Sequence, residues 1–184
     1  MNVKATGIVR RIDDLGRIVV PKEIRRTLRI REGDPLEIYT NREGEIVLKK
    51  YSPVGELGEF AFCYAQALAQ TASALVCISD RDDVIAAAGN GKKDMEGQVL
   101  SQQMQDLMEK RGTFVLTEES GMPPVTEKDQ KLDARSLVVS SILCNGDCQG
   151  AVIILDKSGE QDRLEILKIL AMGASNFLGK TMEQ

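Results

Sequence analysis

Histidine is absent from this chain of 184 residues, and so is tryptophan. The missing imidazole removes the commonest general base and the commonest metal ligand together. His-dependent catalytic triads and His-containing zinc sites are excluded. Aromatic rings are scarce, three Tyr and four Phe, which leaves few to line a nucleotide pocket. No apolar run approaches the roughly 20 residues that a membrane span needs. The opening residues MNVKATGIV lack the apolar core and small-residue cleavage site of a secretory signal, so a cytoplasmic protein is expected. Cysteine is limited to Cys63, Cys77, Cys144 and Cys148, expected as reduced thiols packed as small hydrophobes. Cys144 and Cys148 flank a turn, which would let them face each other across a hairpin as a redox pair or half a metal site. Two more ligands would be needed to hold a metal there, and nothing supplies them. No metal site and no cofactor is expected.

Charge is present but unevenly placed. The net charge is −4 with a pI of about 5.1. Residues 1–53 carry 12 basic and 8 acidic groups, whereas residues 54–184 carry 12 basic and 20 acidic ones. Nine Lys or Arg fall within residues 1–31, against only Asp13, Asp14 and Glu23. A basic module inside an acidic protein points to a polyanionic partner, most often nucleic acid.

The periodicities divide the chain into a small module at 1–53 and a larger domain at 54–184. In the module, residues 6–12 and 17–20 read as strands around an Asp13-Asp14-Leu15-Gly16 turn. A register with Ile12 facing Arg17 and Arg10 facing Val19 puts Arg10 and Arg17 on one face. Pro21 opens a short helix in which Ile24 and Leu28 form the buried stripe, while Arg25, Arg26 and Arg29 fall off it. A second hairpin, 36–40 and 45–49, turns at Asn41-Arg42-Glu43-Gly44. This ββαββ module of about 45 residues is too small to bury a sufficient core, and it has no Cys or His for a disulfide or metal staple. A dimer that shares its core is expected.

Residues 54–184 alternate helix and strand patterns in the order α-ββ-α-β-loop-ββ-α, an α+β domain with an antiparallel sheet. Asn145-Gly146-Asp147 is a strong hairpin signal. The first and last helices carry small residues, Ala61, Ala65, Ala69, Ala171, Gly173 and Ala174, that let a partner's helices approach. A homotetramer built on the N-terminal dimer is the assembly expected from them.

From Thr6-Gly7-Ile8-Val9-Arg10, through Asp13 with Leu15-Gly16-Arg17-Ile18-Val19-Val20-Pro21, to Glu23-Ile24-Arg25-Arg26-Thr27-Leu28 and Leu36-Glu37-Ile38-Tyr39, the chain resembles the AbrB-type, or swapped-hairpin, DNA-binding module. Downstream, Ile78-Ser79-Asp80-Arg81-Asp82, Gly91-Lys92-Lys93-Asp94, Asn145-Gly146-Asp147 and Gly150-Ala151-Val152-Ile153 resemble regulators that join such a module to a C-terminal GAF-like domain. The resemblance implies a dimer in which two chains exchange hairpins on double-stranded DNA. It implies a regulator of late forespore gene expression, acting as activator and repressor, not an enzyme. It assigns DNA contact to Arg10, Arg17, Arg25 and Arg26, with Arg11 and Lys4 adding to the patch. A small-molecule effector of the GAF-like domain is open. So are two alternatives: a GAF-type sensor or thiol redox enzyme with an incidental basic module, and an antitoxin-type DNA-binding protein.

Overall fold

The computed structural model describes residues 6–128 and 133–183. The chain divides into two compact units, Met1–Tyr51 and Ser52–Gln184.

In the first unit, helix α1 (Lys22–Thr27) follows Pro21, which occupies the cap rather than the first helical position. Strands β1 (Leu36–Thr40) and β2 (Ile46–Lys50) pair antiparallel, with Leu36 opposite Lys50 and Thr40 opposite Ile46. Asn41 closes their turn, and Gly44 adopts the left-handed conformation (φ 81°) that a side chain would oppose. Residues 6–12 and 17–20, expected as strands, carry no strand ladder. A strand exists only beside a hydrogen-bonding neighbour, and among the described residues the pairing stops at the turn itself, where Asp13 N donates to Arg17 O at 3.1 Å. The expected buried stripe is likewise missing: Leu28 is 56% exposed. Among the described residues of this unit none is buried. Eleven large apolar side chains stand in solvent, among them Val9 at 87%, Ile12 at 62%, Val19 at 74% and Ile38 at 70%.

The second unit begins with α2 (Pro53–Glu56), capped by the Ser52 hydroxyl, and α3 (Gly58–Ala72). The single helix expected here is broken at Leu57. Strands β3 (Leu75–Ser79) and β4 (Val84–Ala88) form a hairpin, followed by a one-turn helix α4 (Lys92–Met95) that periodicity alone does not reveal. Helix α5 (Gln102–Glu109), capped by Ser101, leads to β5 (Thr113–Thr117). The last elements are β6 (Ser136–Cys144), β7 (Asp147–Asp156) and α6 (Gln161–Met182). The sheet order is β4-β3-β7-β6-β5, antiparallel throughout.

Strand alternation divides the core between the two faces of this sheet. Val76, Ile78, Val138, Val152 and Ile154 pack under α3 and α6 with Ala65, Leu167, Ala171 and Leu178. Cys77, Leu137, Val139, Ile153 and Leu155 pack on the other face with Met95, Leu100, Met104 and Met108. Each fully buried Ile, Leu or Met contributes about 1.5–3 kcal/mol, so this unit holds an apolar core of its own and the first does not. Asn145 and Gly146 both take positive φ, 50° and 86°, in the two-residue turn between Cys144 and Asp147, as its Asn-Gly sequence predicts. Helix α6 crosses this hairpin so closely that a β-carbon at Gly179 would collide with the Leu143 carbonyl.

Candidate nucleic-acid interface

The first hairpin's turn places Arg17. Asp13 Oδ1 accepts from Leu15 N at 3.0 Å and from Arg17 N at 2.8 Å. Its other oxygen, Oδ2, accepts from Arg17 Nε at 2.8 Å. Gly16, at φ 75°, donates to the Asp13 carbonyl. The bonds from the Arg17 backbone and guanidinium, with that of Leu15, hold the Asp13 carboxyl below its ordinary value of 3.8. The turn therefore carries a full negative charge against an Arg side chain that is 69% exposed.

The pair Asp13–Arg17 differs by one residue from the expected pair Ile12–Arg17. The three-residue loop Asp14-Leu15-Gly16, with its left-handed Gly16, is one residue shorter than the four-residue loop of the expected register. A one-residue shift changes faces. Beyond the Asp13–Arg17 bond the described residues of 6–12 and 17–20 carry no ladder, so the expected shared face of Arg10 and Arg17 is not formed within one chain.

Arg25 and Arg26 occupy the last turn of α1, where cations are favoured by the helix dipole. Arg26 is exposed and Arg25 half-buried; Arg10 and Arg11 are exposed on the segment before the turn. Lys4 lies outside the described residues. Behind the helix, Asp34 is the anchor: its Oδ2 accepts from Arg31 N at 2.8 Å and meets Lys50 Nζ at 3.1 Å, with 1% of its side chain exposed. Lys50 Nζ also donates to the Arg29 carbonyl at 3.1 Å. In the sequence Asp34 reads only as part of a helix stop. A lone acid after a basic helix carries no signal of burial.

The cysteines do not form a site. Cys144 pairs with Asp147 and Cys148 with Leu143, so the two thiols lie on opposite faces of the hairpin rather than across from each other. All four are free. Burial pushes the Cys77 thiol up to about 12 and raises those of Cys144 and Cys148. That is the reverse of what a thiolate nucleophile needs. Among the described residues no cluster of His, Cys, Asp or Glu could hold a metal ion, and no helix is long and apolar enough to cross a membrane.

Two further features belong to the second unit. Phe60, Tyr64 and Phe177 form a ring cluster with centroids 5.4–6.1 Å apart. Beside it Ile166, Ile169 and Met172 leave α6 apolar on its outer side, at 61%, 67% and 41% exposure. A cleft of about 720 Å³ opens where α3 ends and α6 begins, lined by residues that include Ser73, Asn90, Asp94, Asp156 and Arg163. No aromatic ring lines it.

A basic turn-and-helix module without a core, followed by a five-stranded antiparallel sheet covered on both faces, defines a two-part protein: an AbrB-type module and a GAF-like domain. Residues 56–183 match the family described as stage V sporulation protein T C-terminal, transcription factor. Residues 9–56 match the family described as antidote-toxin recognition MazE, bacterial antitoxin. The chain is 48% identical over 182 residues to stage V sporulation protein T of Bacillus subtilis, covering 99% of this chain and all of that one. It is 60% identical over 53 residues to the transition state regulatory protein AbrB of the same organism, covering 29% of this chain and 54% of AbrB. The GAF domain of A. aeolicus Nlh2 superposes with a TM-score of 0.55 at 12% identity, over 72% of this chain and 85% of that one; this likeness is one of fold. The chain belongs to the stage V sporulation protein T family of transcription factors.

Proposed function

We propose that the chain is a DNA-binding regulator of sporulation genes that acts in the cytoplasm as an activator and repressor. Residues 1–53 bind duplex DNA, and residues 54–184 set assembly and regulation. Arg10, Arg11, Arg17, Arg25 and Arg26, with Lys4, supply the contacts. The carrying observation is the concentration of exposed guanidinium groups on a turn and a helix end of one small unit, in a family of transcription factors. Guanidinium forks suit phosphates and the guanine edge. The raised thiols speak against a redox enzyme. About 130 patterned residues after the module, where an antitoxin would carry a short disordered tail, speak against that reading.

Self-association supports the same reading. Eleven exposed large apolar side chains and two unpaired strand segments match a module completed by a second chain's hairpin, which also doubles the arginines with twofold symmetry. The apolar outer side of α6, with the Phe60–Tyr64–Phe177 cluster, is the surface for pairing dimers into a tetramer. The cleft beside Asp156 and Arg163 is the place for an effector.

Affinity for duplex DNA over a salt series tests this function. Removing one cation that neutralises a phosphate should lower the salt slope by about one. Arg17→Ala and Arg25→Ala are expected to weaken binding. Salt-insensitive binding, or wild-type affinity in both variants, refutes it.

A further inference from the structure

The first unit builds the same five-residue turn twice, from two different first residues. Asp13 N donates to Arg17 O at 3.1 Å, and Asn41 N to Glu45 O at 3.2 Å. Gly16 N donates to Asp13 O at 3.0 Å, and Gly44 N to Asn41 O at 3.3 Å. Oδ1 of Asp13 accepts from the N–H groups two and four residues on, at 3.0 and 2.8 Å. Oδ1 of Asn41 does the same at 3.0 and 2.9 Å. The turn thus needs one side-chain oxygen, and a neutral amide supplies it as well as a carboxylate.

The negative charge of Asp13 is therefore surplus to the turn. It is also costly in a segment that must approach a polyanion. What the carboxylate adds is its second oxygen, which accepts from Arg17 Nε at 2.8 Å. An Asn in this place would present Nδ2, a donor, which cannot accept from Nε. At Asn41 the same side-chain position is used the other way round, Nδ2 donating to the Glu45 carboxylate at 2.6 Å. Among the described residues nothing else bonds to the Arg17 guanidinium. With Nε held in a planar fork, the Nη1/Nη2 edge is left free and fixed in direction.

Resting on the reading that Arg17 touches DNA, we propose that Asp13 is a positioning residue. It aims the Nη edge of Arg17 at a base edge in the major groove, and so contributes sequence discrimination rather than affinity. A loose Arg finds any phosphate; a held one rewards the base that matches its direction, guanine above all.

The test uses the full chain and two duplexes of equal length and composition. One is enriched from a random pool by the wild type; the other is its shuffled sequence. Asp13→Asn is expected to lower the ratio of the two affinities about tenfold, the discrimination of one bidentate base contact. Its affinity for the shuffled duplex should stay level or rise, because a repelling charge is gone. In Arg17→Ala, adding Asp13→Asn should change the ratio no further. If Asp13→Asn tightens both duplexes by the same factor, the carboxylate only masks Arg17 and the proposal is overturned. If Arg17→Ala weakens binding while Asp13→Asn leaves the ratio intact, this proposal alone falls. If Arg17→Ala leaves both affinities unchanged, the assignment of Arg17 falls with it. Should Asp13→Asn unfold, Arg17→Lys serves instead: it keeps the charge without the fork, and an unchanged ratio overturns the proposal.

Discussion

Replacing Arg163 by Ala removes the cation from an enclosed ion pair of the second unit. Arg163 Nε and Nη2 lie 2.8 and 2.7 Å from Asp156 Oδ1, and Nη2 also donates to the Ala72 carbonyl at 2.6 Å. The residue thereby ties the start of α6 to the end of β7 and the end of α3. Only 4% of the Asp156 side chain is exposed, against 32% of that of Arg163. Removing one partner of a buried pair costs about 3–5 kcal/mol, because the other charge stays behind. Asp156 would keep two donors, Ser158 N at 3.0 Å and Ser158 Oγ at 2.8 Å, which places the cost near the lower figure. For a unit of this size about 3 kcal/mol lowers the melting temperature by roughly 10 °C.

The cost should also depend on pH, with a definite sign. In the wild type burial raises the Asp156 pKa, but the bonds from Arg163 and Ser158 outweigh it and hold the carboxyl below its ordinary 3.8. Such a group adds stability above its unfolded pKa and loses that stability as pH falls through the folded one. Without Arg163 burial gains the upper hand, the pKa rises, and the variant loses stability as pH climbs past its unfolded value. The gap between the two proteins is therefore widest near neutrality and narrows below about pH 4, to the cost of the missing Ala72 bond. Denaturant unfolding of the full chain, followed by far-ultraviolet circular dichroism, measures it on both sides of the pI of about 5.1, where solubility is lowest. A cost under about 1 kcal/mol, or one equal at both pH values, refutes the reasoning.

Two further outcomes are expected. Ile18→Asp alters a side chain that is 49% exposed in the single chain and should cost little if the module works alone; instead we expect the proposed tetramer to fall to dimers held by α6 in sedimentation, with loss of DNA binding. At mildly alkaline pH, Cys77, with its thiol at about 12, should resist maleimide until the chain is denatured, and Cys144→Ser should leave DNA affinity unchanged; rapid labelling of Cys77 by mass spectrometry would contradict this.

The second unit is almost fully legible because its signals are local. Asn145-Gly146 dictates its turn, and the strands from Leu75 to Leu155 alternate between two apolar clusters that periodicity can count. What escapes is short or paired at long range. Helix α4 is one turn of Lys-Lys-Asp-Met, below the length at which a stripe can form. The loop after Gly121 reads as polar, yet Val125 and Thr126 are buried, Thr126 bridges to Leu100, and Ser101 Oγ donates to the Pro124 carbonyl; polarity does not report such bonds. In the first unit the arginines are evident from charge alone. The register around Gly16 is not, because a loop one residue shorter than the expected one shifts the pairing. The Asp13–Arg17 bond carries a faint signal, the repeat of an Asx-x-x-Gly spacing at Asn41.

The missing core of the first unit has a consequence for how the cell handles this chain. This unit leaves the ribosome before the second one, and among its described residues none is buried, so the apolar side chains from Ile8 to Leu48 stand exposed. Until a second copy arrives, that surface is open to chaperones and proteases. On the proposed dimer, orphan chains are open to clearance while paired ones are protected, so the surviving amount rises more steeply than synthesis at low output. On that reading a regulator built this way discounts leaky expression.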